Sequence, residues 1–125
     1  MKRVILDEGV PRKIARNLPG HDLTTVAAEG WAGVRNGNLL DLIERARFDA
    51  FITADKNMEY QQPELRRRPF AVLLLSTNHL PTIIPHVGLI AEALDTARPG
   101  SVTKVECGAF VPRRMRKPSS KPGPI

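Results

Sequence analysis

The feature that most constrains this chain is the uninterrupted apolar run from Phe70 to Leu75, FAVLLL. A strand that is apolar at every position has both faces covered, and such strands belong to parallel sheets flanked by helices on either side. Two shorter runs repeat the theme: Val4-Ile5-Leu6 stops at Asp7-Glu8, and Ala50-Phe51-Ile52-Thr53 leads to Asp55. Leu23-Thr24-Thr25-Val26 and the stretch from Val102 to Glu106 carry the β-branched content of two more strands.

Helical patterns fill the gaps. Pro11 suits a first helical position, Ile14 and Leu18 lie one turn apart, and Pro19-Gly20 ends that short segment. After the Gly- and Asn-rich loop EGWAGVRNGN, Asn38 is a natural N-cap. The helix that follows turns Leu39, Leu40, Leu42, Ile43 and Ala46 inward and pairs Asp41 with Arg45 on its wet face. A polar connection holding Tyr60 and Arg66-Arg67-Arg68 precedes the central strand. A third helix starts at Thr82, keeps Pro85 in its first turn, buries Val87, Ile90, Ala91 and Leu94, and ends at Pro99-Gly100. Beyond the fifth strand, Gly108 can turn the chain into an antiparallel edge strand or hairpin through Phe110 and Val111.

Strands alternating with helices imply right-handed crossovers, and hence an α/β three-layer sandwich around a short, mostly parallel sheet of about five strands. In such sheets ligands sit beyond the carboxyl ends of the strands. An order such as 2-1-3-4-5 makes the first and third strands neighbours, and Asp7, Glu8 and Asp55 then meet at that edge.

With 125 residues, 42% of them hydrophobic, the chain can bury one modest core. One domain over residues 1–111, followed by a basic, Pro-rich, flexible tail over 112–125, is the expected organisation. The formal charge of +6 is unevenly placed: Arg113, Arg114, Arg116, Lys117 and Lys121 lie in the tail without an acid among them, so the remainder is nearly neutral. Two readings of the tail stand together, a phosphate-binding arm and a solvated end. No apolar run approaches the ~20 residues of a membrane span, and the opening MKRVILDEG lacks the pattern of a signal peptide. With the single Cys107, expected as a small core or edge residue, this points to a reducing, cytoplasmic setting.

Three converging carboxylates repel one another and tend to take up a proton or share a cation. A hard divalent ion, Mg²⁺ or Mn²⁺, needs only one or two of them and keeps several waters. For a single carboxylate, capping of the helix that opens at Pro11 is the plainer role.

The segments ILDEGVPRKIARNL, GHD, GWAG followed by a helix, and FITADKN resemble the small PIN-like domain family, found mostly in bacteria and often encoded beside an antitoxin. The likeness runs from Met1 to about Phe110, and the DE pair and the T-x-D-x-[DN] pattern are its most specific elements. It implies a Rossmann-like PIN fold, an acidic pocket for Mg²⁺ or Mn²⁺, and metal-dependent endoribonuclease activity, as of a toxin restrained by a small antitoxin protein. A homodimer is expected as well. Asp7 and Asp55 then correspond to metal ligands, Glu8 to a ligand or the base that orients water, and Asn57 to a weaker outer ligand, with Thr53 supporting from the strand end. Two positions depart from the pattern: Asn36 stands where many relatives carry Asp, and Asn57 where they repeat an acid. An amide can ligate but brings no charge, and both residues also suit turns or caps.

Lys56 and the Arg66, Arg67, Arg68 run are candidates for steering an RNA backbone, or else a solvated turn. Trp31 and Tyr60 could stack on a base or simply pack. His21, His79 and His86 show no metal-ligand spacing, and His21 suits the turn after Gly20. Two other readings compete. A phosphoacceptor receiver domain also places two acids after its first strand and one after its third, and Thr77 and Lys104 fall near the strand ends it would use; Lys104, however, lies inside VTKVE with no Pro after it, and the first helix is short. A catalytically silent PIN-like binding module is the other, supported by the two Asn departures.

Overall fold

The computed structural model describes residues 2–108. Its sheet has five parallel strands in the order β2-β1-β3-β4-β5. These are β1 (Arg3–Leu6), β2 (Asp22–Thr25), β3 (Ala50–Thr53), β4 (Ala71–Leu75) and β5 (Val102–Val105). The expected Phe110–Val111 hairpin and the tail lie outside the described residues.

The side-chain period of two along each strand divides the core into two layers. Val4, Leu6, Ala50, Ile52, Leu73 and Leu75 face one side, where they meet Ile14, Leu18, Ile83, Ile90 and Leu94. Ile5, Phe51, Val72 and Leu74 face the other, against Leu39, Leu40, Ile43, Met58, Leu65 and Phe70. Both faces of the central strands are therefore sealed, which is why β3 and β4 read as continuous apolar runs.

The helical elements differ from expectation in instructive ways. The segment after Pro11 is a 3-10 helix, Arg12–Asn17, with Pro11 as its cap residue. Helix α1 (Asn36–Arg45) begins two residues before Asn38, with Arg35 as its cap and Asn36 at φ 56°. Asn tolerates this left-handed conformation better than most residues, so the loop needs no glycine there. Asp41 does not pair with Arg45; it pairs with Arg68 at 2.6 Å, across 27 positions of sequence.

The connection read as a polar loop is helical. A 3-10 helix, Lys56–Gln61, runs into α2 (Gln62–Leu65), and together they bury Met58 and Leu65. The third helical region is broken rather than continuous: α3 (Leu80–Ile83), a 3-10 turn Ile84–His86, then α4 (Val87–Thr96). Pro81 and Pro85 each occupy a first-turn position, where their missing N–H groups are harmless, and each therefore starts a new segment. Ile90 and Leu94 are buried as expected, Val87 and Ala91 only partly, and Ile83 joins the core from the preceding piece. Among the described residues, no helix is long and apolar enough to cross a membrane.

A candidate acidic cleft at the carboxyl edge

Register builds the site. Leu6 stands beside Ile52, and the Asp7 amide donates to the Ile52 carbonyl at 2.9 Å, so the first residue past β1 is set against the last residue of β3. That residue is Thr53, fully buried and the one buried polar side chain among the described residues. Its hydroxyl donates to Asp7 Oδ2 at 2.7 Å and accepts the Asp55 amide at 3.1 Å. One oxygen thus ties both strand ends together. A buried hydroxyl without partners would be costly, and here both of its roles are filled.

The carboxylates are held differently. Asp7 Oδ1 also accepts the Glu8 amide at 2.8 Å. Asp55 caps the 3-10 helix that follows it, its Oδ1 accepting the Asn57 amide at 2.9 Å. Glu8 turns the other way and accepts the Gly33 amide at 3.0 Å, which draws the loop before α1 over the cleft. Gly33 has φ 85°, the left-handed region that glycine enters without strain. Each carboxylate keeps lone pairs beyond these bonds.

The resulting cleft has a volume of about 460 Å³ and is lined by Asp7, Glu8 and Asp55, with Asn36, Asn57 and Asn78 among its other walls. The expected acids therefore share one cavity. They do not form a ready-made ligand set: among the described residues, no three His, Cys, Asp or Glu side chains are grouped so as to hold a metal ion. The donors are all hard oxygens, which suits Mg²⁺ or Mn²⁺ bound by one or two carboxylates, with waters and an amide completing the shell. No ion pair engages Asp7, Glu8 or Asp55 among the described residues.

Comparison with protein-family models, with curated proteins and with solved structures finds no match in any of the three.

Other candidate residues are distributed unequally. Lys56 stays at the carboxyl edge, its Nζ donating to the Ser76 carbonyl at 2.8 Å. The Arg66–Arg68 run, expected near the same edge as Lys56, instead precedes β4, at the opposite end of the sheet from the cleft. Arg68 is also consumed structurally. Its side chain is only 11% exposed and contacts Asp41 at 2.6 Å, Glu64 at 2.7 Å and Glu44 at 3.2 Å. Burial lowers the pKa of its guanidinium, but hydrogen bonds to Asp41, Glu44 and Glu64 outweigh this and leave it raised. Trp31 packs edge-on against Phe48, ring centres 6.3 Å apart, whereas Tyr60 is 85% exposed. Lys104 reaches Glu59 at 3.3 Å. His21 bridges the Lys2 amide and Asp95, joining the residue before β1 to α4.

Sequence reasoning missed Asn78 and Arg35 as lining residues. Asn78 carried a usable signal, since it is among the first polar residues after the central apolar strand, the same rule that picked out Asp7 and Asp55.

Proposed function

We propose that the chain is a PIN-like, Mg²⁺- or Mn²⁺-dependent endoribonuclease whose chemistry takes place in the acidic cleft. The observation that carries this reading is the Thr53 hydroxyl, which brings Asp7 and Asp55 from two strand ends to one edge of a shared cavity. Asp7 and Asp55 would hold the ion, with Asn57, Asn36 or Asn78 as neutral outer donors. Once bound, such an ion supplies Lewis-acid polarisation of a phosphodiester oxygen and a more acidic water. Glu8 is fixed through one oxygen by Gly33; its other oxygen, with no hydrogen-bond partner among the described residues, would accept a proton from the water that attacks phosphorus. The P–O bond to the leaving nucleotide breaks, and its oxygen takes a proton from solvent. The PIN-like resemblance extends the reading to a toxin role, with a small antitoxin as partner and a homodimer as the working form.

A second reading, a PIN-like module that binds without cleaving, draws support from Asn36 and Asn57, which stand where the resemblance implies acids. Against the receiver reading stand two features of the sequence, Lys104 without a following Pro and the short first helix. One experiment separates the nuclease from the silent module. Purified protein is incubated with single-stranded RNA in Mn²⁺, Mg²⁺ or chelator, beside an Asp7→Asn control, and its melting is followed with and without Mn²⁺. The nuclease reading expects metal-dependent cleavage reduced at least ~100-fold in Asp7→Asn, and a Mn²⁺-dependent rise in melting temperature that the variant lacks. A Mn²⁺ shift without cleavage leaves the silent module; neither effect removes the metal site.

A further inference from the structure

A phosphodiester strand is not drawn to an acidic cleft unaided, because like charges repel it until cations nearby reverse the local field. Arg68 is caged and Arg66 and Arg67 lie at the far edge, which leaves Arg35 in the cleft wall and Lys56 at the same edge. A further set of cations lies on the 3-10 helix Arg12–Asn17. Three residues per turn give such a helix three ridges, and burial of Ile14 commits one of them to the core. The other two carry Arg12, Lys13 and Arg16 to the surface together. All three are exposed, and among the described residues none makes an ion pair.

These cations line a hollow of about 420 Å³ whose floor includes Leu6, Leu23 and Ala15. A second hollow, about 370 Å³, shares Arg12 and Thr25 with the first. It also shares Asp7, Glu8 and Gly9 with the acidic cleft. The three hollows therefore adjoin through shared wall residues, basic at the β2 side and acidic at β1 and β3, and can be followed as one groove. Glu29 brings an opposite charge to the wall residue Thr24, whose hydroxyl donates to it at 3.0 Å.

We propose that this groove is a binding track for single-stranded RNA, with backbone phosphates on Arg12, Lys13 and Arg16 and the chain running on toward Asp7. The partly apolar floor favours unstacked bases over a closed duplex. The direction of the track rests on the nuclease reading; its capacity to bind RNA does not.

The test uses the full chain and a fluorescein-labelled, unstructured RNA in chelator, so that no cleavage occurs. Anisotropy titrations across about 50 to 200 mM salt give the slope of log K against log salt, which loses ~0.7 for each single-strand phosphate contact removed. Arg12→Ala/Lys13→Ala/Arg16→Ala should lower the slope by about 2 and weaken binding at least ~10-fold at the low-salt end. The tail's cations are present in both proteins and drop out of the difference. Arg66→Ala/Arg67→Ala should leave the slope unchanged. An unchanged slope in the triple variant overturns the track, as does an equal loss in the Arg66/Arg67 variant, or no binding at low salt. Equal competition by duplex DNA overturns the single-strand assignment. A lowered slope in a protein that never cleaves RNA keeps the track and refutes the nuclease; cleavage with an unchanged slope does the reverse. Circular dichroism confirms that the triple variant is folded, as exposed side chains permit.

Discussion

Replacing Thr53 with valine keeps the shape of a fully buried side chain and deletes only the hydroxyl that links Asp7 to Asp55. The bond to a carboxylate contributes about 1.5 to 3 kcal/mol and the bond from a neutral amide about 1 kcal/mol. Asp7 is partly exposed and Asp55 exposed, so water recovers part of both, and the net loss is about 2 to 3 kcal/mol. Thr53→Ser keeps both bonds and loses one buried methyl, about 1 kcal/mol. The two substitutions therefore separate hydrogen bonding from packing. Packing alone ranks valine with the native residue and serine below it; the link through the hydroxyl ranks serine above valine. Urea denaturation reads the order directly, with a midpoint drop of about 1 to 2 M for Thr53→Val if the unfolding slope stays typical of a small domain. A Thr53→Val protein at least as stable as Thr53→Ser would refute the reasoning, and with it the claim that this oxygen organises the cleft.

Arg68→Met leaves Asp41, Glu44 and Glu64 facing one another without their shared cation. Because those carboxylates are nearly half exposed, the expected destabilisation is about 1 to 2 kcal/mol rather than the larger value of a sealed pair, and molar salt should shrink it in parallel denaturation curves. Cys107 is buried, and desolvation, with Glu106 adding repulsion, raises its thiol pKa. The folded state therefore favours the neutral thiol: that contribution is complete below the ordinary thiol pKa and is lost as pH rises through the raised value. Alkaline loss of stability should be smaller in Cys107→Ala than in the native chain, and a thiol reagent at neutral pH should label Cys107 only as urea unfolds the protein.

Local pattern alone determined much of this protein. Apolar runs of strand length, each stopped by a polar residue, placed β1, β3 and β4, β-branched stretches placed β2 and β5, and the alternation with helices made the sheet parallel. The same rule named Asp7 and Asp55, because a buried strand must end where its first charged side chain reaches water. Tertiary structure decided what depends on partners distant in sequence. Nothing local to Arg66-Arg67-Arg68 says that one of the three will be taken by Asp41 and Glu44 from another helix. Nothing near Glu8 says that it will turn to Gly33 while Asp7 turns to Thr53. The segment from Lys56 to Leu65 becomes helical because the sheet face above Phe51 and Val72 has room for Met58 and Leu65, a demand of packing that a polar, Pro-containing stretch does not announce. Strand periodicity is a property of neighbours along the chain; the fate of a charge depends on what the fold brings beside it, because Coulomb and desolvation energies follow distance in space.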